Sequence, residues 1–250
     1  MHSLFQNLLF VELAFAVIAF GSLMMISAPY GKFIRPGWGI GLKAKFAWLI
    51  MEFPAFLIIS AFFLLGKGWE NPVLIIFLII WQSHYFHRTF IYPFQMRGKN
   101  KDFPFLLVLF ALTFNYINGF INGYDVFLNK TYPVSWLYSP NFLAGLFIFI
   151  LGYFINKQSD NILKNLRTNQ EKDYKIPYGG LFSKISNPHY FGEILEWGGW
   201  AILTWSPAGL AFFIFTMGNL LPRAIQNHKW YRENFADYPT NRKILIPYIF

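Results

Sequence analysis

The chain of 250 residues is 55% hydrophobic and only 13% charged, roughly half the charged share of a soluble domain. It has no cysteine, which excludes disulfides, thiolate catalysis and cysteine-ligated zinc or iron–sulfur centres. The net charge of +9 lies in short segments between long apolar runs. It therefore indicates membrane topology rather than a surface that binds nucleic acid.

Seven apolar stretches are long enough to cross a bilayer, or nearly so. They predict an all-α, polytopic membrane protein with seven transmembrane helices near 4–27, 46–66, 70–92, 103–122, 135–156, 188–205 and 207–226. The first stretch lacks a cationic n-region and is longer than a normal signal-peptide core, so we interpret it as a retained helix. No internal repeat or linker divides the sequence, which predicts a single domain over 1–250.

The basic residues predict an orientation for these spans. Of the 21 lysines and arginines, 19 fall in segments on one side of the predicted spans, and only Lys67 and Lys130 fall on the other. The positive-inside rule then places the N-terminus outside and the C-terminus in the cytoplasm, which an odd number of spans requires. Loops 88–102 and 157–187 and the tail 223–250 are predicted to be cytoplasmic.

Ionisable side chains inside a span are expensive unless they are paired or face a cavity, so each is a candidate for function. Glu52 lies well inside the second span, four residues after Trp48 and on the same helix face. Tyr85 lies in a polar segment at the cytoplasmic end of the third span. An interfacial belt with a snorkelling arginine explains His87 and Arg88 well. It explains Tyr85 less well if that ring points inward towards Glu52.

Polar residues also repeat at helical spacing near the cytoplasmic ends of the later spans. The sets are Asn156, Asp160 and Arg167 after the fifth span; His189, Glu193 and Trp197 at the start of the sixth; and Arg223, Asn227 and Tyr231 at the end of the seventh. A solvated helix would explain the first set on its own. Two carboxylates at membrane depth, Glu193 and Glu196, are harder to explain in that way. The convergence of these sets on one side predicts a site there.

Two familiar motifs are missing from the sequence. It contains neither a phosphate-binding Gly-Xaa4-Gly-Lys-Ser/Thr loop nor a His-Glu-Xaa-Xaa-His zinc motif, and we expect no metal. The segment Gly39-Ile40-Gly41-Leu42-Lys43-Ala44 formally matches a dinucleotide fingerprint. It follows a membrane helix rather than a strand, so the required structural context is missing.

Six strings occur in a characteristic order: Pro29–Phe33, Trp48–Pro54, His84–Phe90, Pro177–Phe182, Gly192–Trp197 and the tail Phe235–Phe250. Over almost the whole chain they resemble the steroid 5α-reductase family, and we interpret the chain as a bacterial-type homologue. The resemblance implies seven transmembrane helices and an NADPH site that faces the cytosol. It also implies reduction of the Δ4 double bond of 3-oxo steroids.

The resemblance also implies roles for individual residues. Glu52 and Tyr85 would polarise the C3 carbonyl of the substrate, and Trp48 and Trp197 would border the steroid. NADPH would be surrounded by Asn156, Asp160, Arg167, Tyr174, His189, Tyr190, Glu193, Arg223, Asn227 and Tyr231, with Arg97 and Lys99 as further candidates for its adenosine phosphates. Three positions depart from the family pattern. His189 stands where asparagine is common, Asn227 where histidine is common, and Met51 where some members carry a polar residue.

Other functions remain open at this point. Membrane isoprenylcysteine methyltransferases, which use S-adenosylmethionine, share a similar C-terminal pattern but would not need Glu52 and Tyr85. Reductases of polyprenols or enoyl-thioesters are also possible, because their pockets are apolar and divergent. A non-enzymatic sterol-binding or transport protein is less favoured, since transporters usually show repeats. We expect an apolar substrate to enter from lipid, in a bacterial inner membrane or the endoplasmic reticulum.

Overall fold

The computed structural model describes residues 1–166 and 174–250, and these are mostly helical. The helices are α1 His2–Met25, α2 Ala44–Leu65, α3 Pro72–Phe86, α4 Tyr92–Gln95, α5 Phe105–Tyr124, α6 Pro140–Asn165, α7 Pro188–Thr204 and α8 Pro207–Asn234. Two π-helical turns, His87–Ile91 and Asp125–Asn129, extend α3 and α5. Two short strands, β1 Gly41–Lys43 and β2 Asp102–Pro104, pair antiparallel with Gly41 opposite Pro104.

Five of the described helical segments are long and apolar enough to cross a membrane: α1, α2, α5 with its π-helical turn, α6 and α8. They coincide with five of the predicted spans to within a few residues at most ends. Helices α3 and α7 cover the other two stretches but have only 15 and 17 residues. Seven spans and the orientation of the termini therefore stay predictions.

Local sequence explains where three of these helices begin. Proline occupies the first turn of α3, α6 and α8, where its missing N–H costs no helical hydrogen bond. The residue before each proline caps the helix with its side chain, which accepts a backbone N–H bond of 2.9 Å at Asn71, 3.2 Å at Ser139 and 2.9 Å at Ser206. Such caps fix where the chain turns between helices.

Glycines bring α6 and α7 into backbone contact. Gly145 and Gly152 on α6 face Gly192 and Gly199 on α7, with the same seven-residue spacing on both helices. A methyl group on Gly192 would lie 2.5 Å from the backbone N of Asn156. Small residues at this spacing allow the close helix packing that membrane proteins use. The contact fixes the polar residues of α7 against those of α6.

Candidate functional site

A cavity of about 980 Å³ lies between α1, α2, α3, α5, α7 and α8. Its walls are mainly apolar, with Phe15 and Leu23 from α1 and Phe110 from α5 among them. Its size and composition are those of a small-molecule site. The predicted site residues that line it are Trp48, Glu52, Tyr85, Tyr190, Glu193, Trp197 and Arg223. The structure thus brings four distant parts of the sequence to one cavity.

The predicted catalytic residues and the predicted substrate-binding tryptophans share this cavity. Tyr85 is buried and its ring stacks on Trp81, with centroids 5.0 Å apart, and lies 5.6 Å from the ring of Trp197. Glu52 reaches the cavity from α2, one turn after Trp48. Their roles stay predictions, but their positions are compatible with action on one bound molecule.

Arg88 lies between the acidic side chains of the site. The interpretation of Arg88 as an arginine that snorkels to the interface was wrong. Its side chain is only 15% exposed instead of snorkelling to the interface. Its guanidinium nitrogens lie 4.0 Å from a carboxylate oxygen of Glu52 and 3.8 Å from those of Asp160 and Glu193. The same group lies over the ring of Trp48, 4.6 Å from its centroid. Arg88 therefore joins α2, α6 and α7 electrostatically.

The backbone around Arg88 is π-helical rather than α-helical. The π-helical turn His87–Ile91 interrupts the α-helical ladder between α3 and α4. Such turns are rare and occur mostly at functional sites, because the extra residue re-aims the side chains that follow. His87 turns away from the cavity, and its Nδ1 lies 2.8 Å from Nζ of Lys157 on α6.

A second polar cluster lies where α6 meets the start of α7. The amide of Asn156 donates to the backbone carbonyl of His189 at 3.0 Å. Among the residues that the structure describes, Oδ1 of Asn156, Oδ2 of Asp160 and Nδ1 of His189 are buried without a hydrogen-bond partner. Buried polar atoms are nearly always paired in folded proteins, so such a group indicates a place for a polar ligand.

The predicted cofactor residues of α8, together with Tyr174 from the segment before α7, form an aromatic and polar wall. Arg223 donates to the hydroxyl of Tyr30 at 3.1 Å, and Asn227 donates to the side chain of Asn187. Tyr231 stacks on Tyr238, with centroids 5.4 Å apart. Tyr174 lies 5.3 Å from the ring of Trp230. These contacts tie the loop after α1 and the C-terminal tail to α8.

The residues predicted to bind phosphates lie elsewhere. Nε of Arg97 donates to the carbonyl of Lys164, 2.7 Å away at the end of α6, and Lys99 donates to the carbonyl of Phe94 at 2.9 Å. Neither lines the cavity. Arg167 lies outside the described residues. The site prediction for α6 can therefore be followed only as far as Asp160.

Arg242 in the tail was missed as a candidate, because in the sequence it is one basic residue among several. It is 3% exposed and its guanidinium lies between the rings of Tyr178 and Tyr238, 4.8 and 5.2 Å from their centroids. Within residues 1–166 and 174–250, its Nε and Nη1 have no hydrogen-bond partner. A buried guanidinium with free donors is suited to a phosphate. The same described ranges hold no group of three or more histidines and carboxylates that could bind a metal ion.

Comparisons with known proteins match this chain over most of its length. A family model described as 3-oxo-5-alpha-steroid 4-dehydrogenase matches residues 101–250. Steroid 5-alpha-reductase DET2 of Gossypium hirsutum is 39% identical over 99% of this chain and 98% of its own length. The 3-oxo-5-alpha-steroid 4-dehydrogenase 1 of Bos taurus is 38% identical over 98% and 97%, and the type 2 protein of Sus scrofa 40% over 93% and 93%. The resemblance found in the sequence is confirmed, and this chain, an oxidoreductase that acts on CH–CH groups, belongs to the steroid 5α-reductase family.

Proposed function

We propose that this protein uses NADPH to reduce the Δ4 double bond of 3-oxo steroids to 5α-dihydro steroids. Family membership supports the reduction of a steroid double bond. The observation that carries the proposal is the cavity, because it places an apolar, tryptophan-lined chamber next to a polar cluster built from α6, α7 and α8. Such a pairing suits a flat apolar substrate and a charged cofactor that bind side by side.

The chamber supports an apolar, ring-shaped substrate. Trp48 and Trp197 border it on two sides, and α1 contributes apolar residues along its length. Because α1 is largely exposed towards the surroundings of the bundle, a lipid-dissolved substrate can approach the chamber from the membrane. The charged cofactor would approach from water, at the end where the polar cluster lies.

Tyr85 and Glu52 would stabilise the charge that develops during reduction. Addition of a hydride to the β-carbon of an enone moves negative charge onto the carbonyl oxygen. A donor aimed at that oxygen stabilises the transition state more than the ground state. In this proposal Tyr85 donates to the oxygen, Glu52 supports it, and Arg88 orients Glu52 from 4.0 Å away.

The polar cluster fits NADPH, which supplies the hydride when it is bound. Asn156, Asp160, His189 and the Nε of Arg223 have buried polar atoms without partners in the described part of the chain. Tyr190, Glu193, Asn227 and Tyr231 complete the wall, and the basic residues Arg97, Lys99, Arg167 and Arg242 are candidates for the phosphates. Charge-assisted bonds from arginine suit such groups. His189 and Asn227, which depart from the family pattern, would adjust individual contacts.

The decisive experiment measures NADPH oxidation by the detergent-purified protein with progesterone or testosterone. A product of the mass and stereochemistry of a 5α-dihydro steroid is expected. NADPH-induced thermal stabilisation without turnover would move the substrate to another enone, such as a polyprenol precursor or enoyl-thioester. Stabilisation by S-adenosylmethionine instead of NADPH would contradict the proposal and favour a methyltransferase. A bacterial-type origin and the host membrane stay predictions.

A further inference from the structure

A buried histidine–carboxylate pair connects α3 to α7 beside the cavity. Nδ1 of His84 lies 2.7 Å from Oε2 of Glu196, and the two side chains are 3% and 0% exposed. Burying such a pair costs several kcal/mol of desolvation for each ion and adds little stability compared with apolar residues. The roles assigned so far use neither residue, so the pair calls for an explanation from function.

One ring nitrogen of His84 is available to contact a molecule bound in the cavity. His84 lines the cavity, and its Nδ1 is occupied by Glu196, which leaves Nε2 as the nitrogen for a molecule bound there. The ring is held on both sides, with its centroid 5.2 Å from that of Tyr85 and 4.8 Å from that of Trp197. A carboxylate on one nitrogen fixes the orientation and the tautomer of an imidazole.

The proposed reaction needs a group at this position. After a hydride has added to the β-carbon, the enolate must receive a proton at its α-carbon, which is separated from the enolate oxygen by a single carbon atom. The donor to the oxygen is Tyr85 in the proposed function, and His84 is the adjacent residue on the same wall. Arg88 cannot release a proton.

We propose that His84 is the proton donor of the reaction and that Glu196 is the positioning residue that holds its ring. The assignment rests on the proposed function. The Nε2–H bond of the imidazolium breaks, and its proton forms a C–H bond at the α-carbon with the electron pair of the enolate, which becomes the ketone. Neutral His84 stays bound to the carboxylate of Glu196 through Nδ1–H.

The nitrogen that gives up the proton, Nε2, is the one left for the cavity, so solvent that enters after product release restores its proton. Lys157 on α6, which is partly exposed, acts electrostatically on both His84 and Glu196. Glu193 and Arg88 are the other charged groups that act on His84. In the part of the chain that the structure describes, Oε1 of Glu196 is buried and without a partner. Because Nδ1 keeps its hydrogen throughout, Glu196 holds the ring and is not itself on the path of the proton.

The test compares the variants Glu196→Gln and His84→Gln with the matched control His87→Gln. His87 is three residues further along the same segment, bound to Lys157 and outside the cavity lining. In the two site variants kcat is expected to fall about 100-fold, the typical worth of general acid catalysis, with unchanged KM for NADPH and steroid. The solvent deuterium isotope effect should rise, and that from deuterated NADPH should shrink, because protonation becomes limiting. The control should keep the wild-type rate and isotope effects.

Deuterium incorporation keeps the result independent of how well the variants fold. In D₂O the wild-type protein should place deuterium on one face of the α-carbon, and a variant that remains active should lose this face selectivity. Wild-type product with deuterium on both faces, or variants with wild-type rates and isotope effects, would overturn the role of the pair while the reductase function stands. A wild-type protein that reduces no 3-oxo-Δ4 steroid would overturn both.

Discussion

The two ends of the helical bundle both bury polar side chains, but they differ in whether these side chains have hydrogen-bond partners. At one end, which we call the Asp125 end and define by Asp125, Asn129, Tyr132 and Thr204, these side chains have partners among the described residues. The carboxylate of Asp125 accepts bonds from the backbone N of Ala208 at 3.4 Å and from Asn129 at 2.9 Å. The hydroxyl of Tyr132 donates to the carbonyl of Thr204 at 2.7 Å. These side chains are paired, as expected of polar groups that only stabilise a fold.

The opposite end, which we call the Arg88 end, leaves some buried hydrogen-bond donors and acceptors without a partner in the described part of the chain. Polar atoms of Asn156, Asp160, His189 and Arg223 are buried without a partner within the described ranges. The carboxylates around Arg88 lie at 3.8 to 4.0 Å, beyond hydrogen-bond length. Both sets include buried polar atoms, but of these two sets the one at the Arg88 end has donors and acceptors left for a ligand. Pairing, rather than burial, distinguishes these two sets of polar residues.

The largest effect is expected from the catalytic pair at the Arg88 end. Tyr85→Phe and Glu52→Gln should each lower kcat by about 100-fold or more, because each weakens stabilisation of the developing oxyanion. The melting temperature should stay close to that of the wild type. Steady-state NADPH oxidation and thermal unfolding in detergent measure the two quantities, and near-normal rates in both variants would contradict the assignment.

The helix positions behind this comparison could largely be predicted, because the bilayer demands long apolar runs. Helix α2 at Ala44–Leu65 lies close to the predicted 46–66, and α7 at Pro188–Thr204 close to 188–205. Helices α6 and α8 continue to Asn165 and Asn234, beyond the predicted 156 and 226. Their last turns are helical but polar, and hydropathy does not detect such turns. The π-helical turn at Arg88 was not predicted either, because one extra residue in an apolar run leaves no clear trace in the periodicity.

The site could be predicted in part. Charged residues inside spans pointed to Glu52, Glu193 and Glu196, and helical spacing grouped Asn156 with Asp160. The sequence could not show that three carboxylates from three helices converge on Arg88, since that depends on tertiary packing. For the same reason the pairing of His84 with Glu196, 112 positions apart, was beyond sequence reasoning.

A packing change should test whether backbone contact positions the Arg88 end. Gly192→Ala places a methyl group 2.5 Å from the backbone N of Asn156, so α6 and α7 must separate. Overpacking of this kind costs about 1–3 kcal/mol or more, and NADPH-induced stabilisation should weaken with it. Gly198→Ala is the matched control, because the atoms nearest to its new methyl group belong to the side chain of Phe213, at 3.2 Å, and not to a backbone. Equal effects of the two substitutions would remove the special role of the glycine contact.

At the Asp125 end, replacing a tyrosine by phenylalanine should lower stability rather than activity. Burial raises the pKa of Tyr132, so its hydroxyl remains a donor to Thr204. Tyr132→Phe should cost about 0.5–1.5 kcal/mol of stability, the net worth of one hydrogen bond. Activity per folded molecule should not change. Tyr85→Phe should lower activity and leave the melting temperature unchanged, whereas Tyr132→Phe should do the reverse. Lost activity with an unchanged melting temperature in Tyr132→Phe would contradict the distinction between the two ends.

The smallest effect concerns the loop after α1, which docks on α8 near the Arg88 end. Nζ of Lys32 lies 3.9 and 4.2 Å from the ring centroids of Trp230 and Tyr231. Burial lowers the pKa of Lys32 to about 7. Between that value and the ordinary lysine pKa of about 10, the unfolded chain binds more protons than the folded one, so stability rises with pH in this window.

The melting temperature of the wild type minus that of Lys32→Met should therefore increase from pH 7 to pH 9. Lys229→Met provides the control for the loss of one lysine, because Lys229 is exposed on the same helix and pairs with Glu233 at 3.7 Å. If the melting-temperature difference for Lys32→Met does not change with pH, the two aromatic rings stabilise the charged lysine in the folded protein as well as water does in the unfolded chain. The loop would then be held to α8 by a permanent cation at every working pH, and its docking would not respond to protonation.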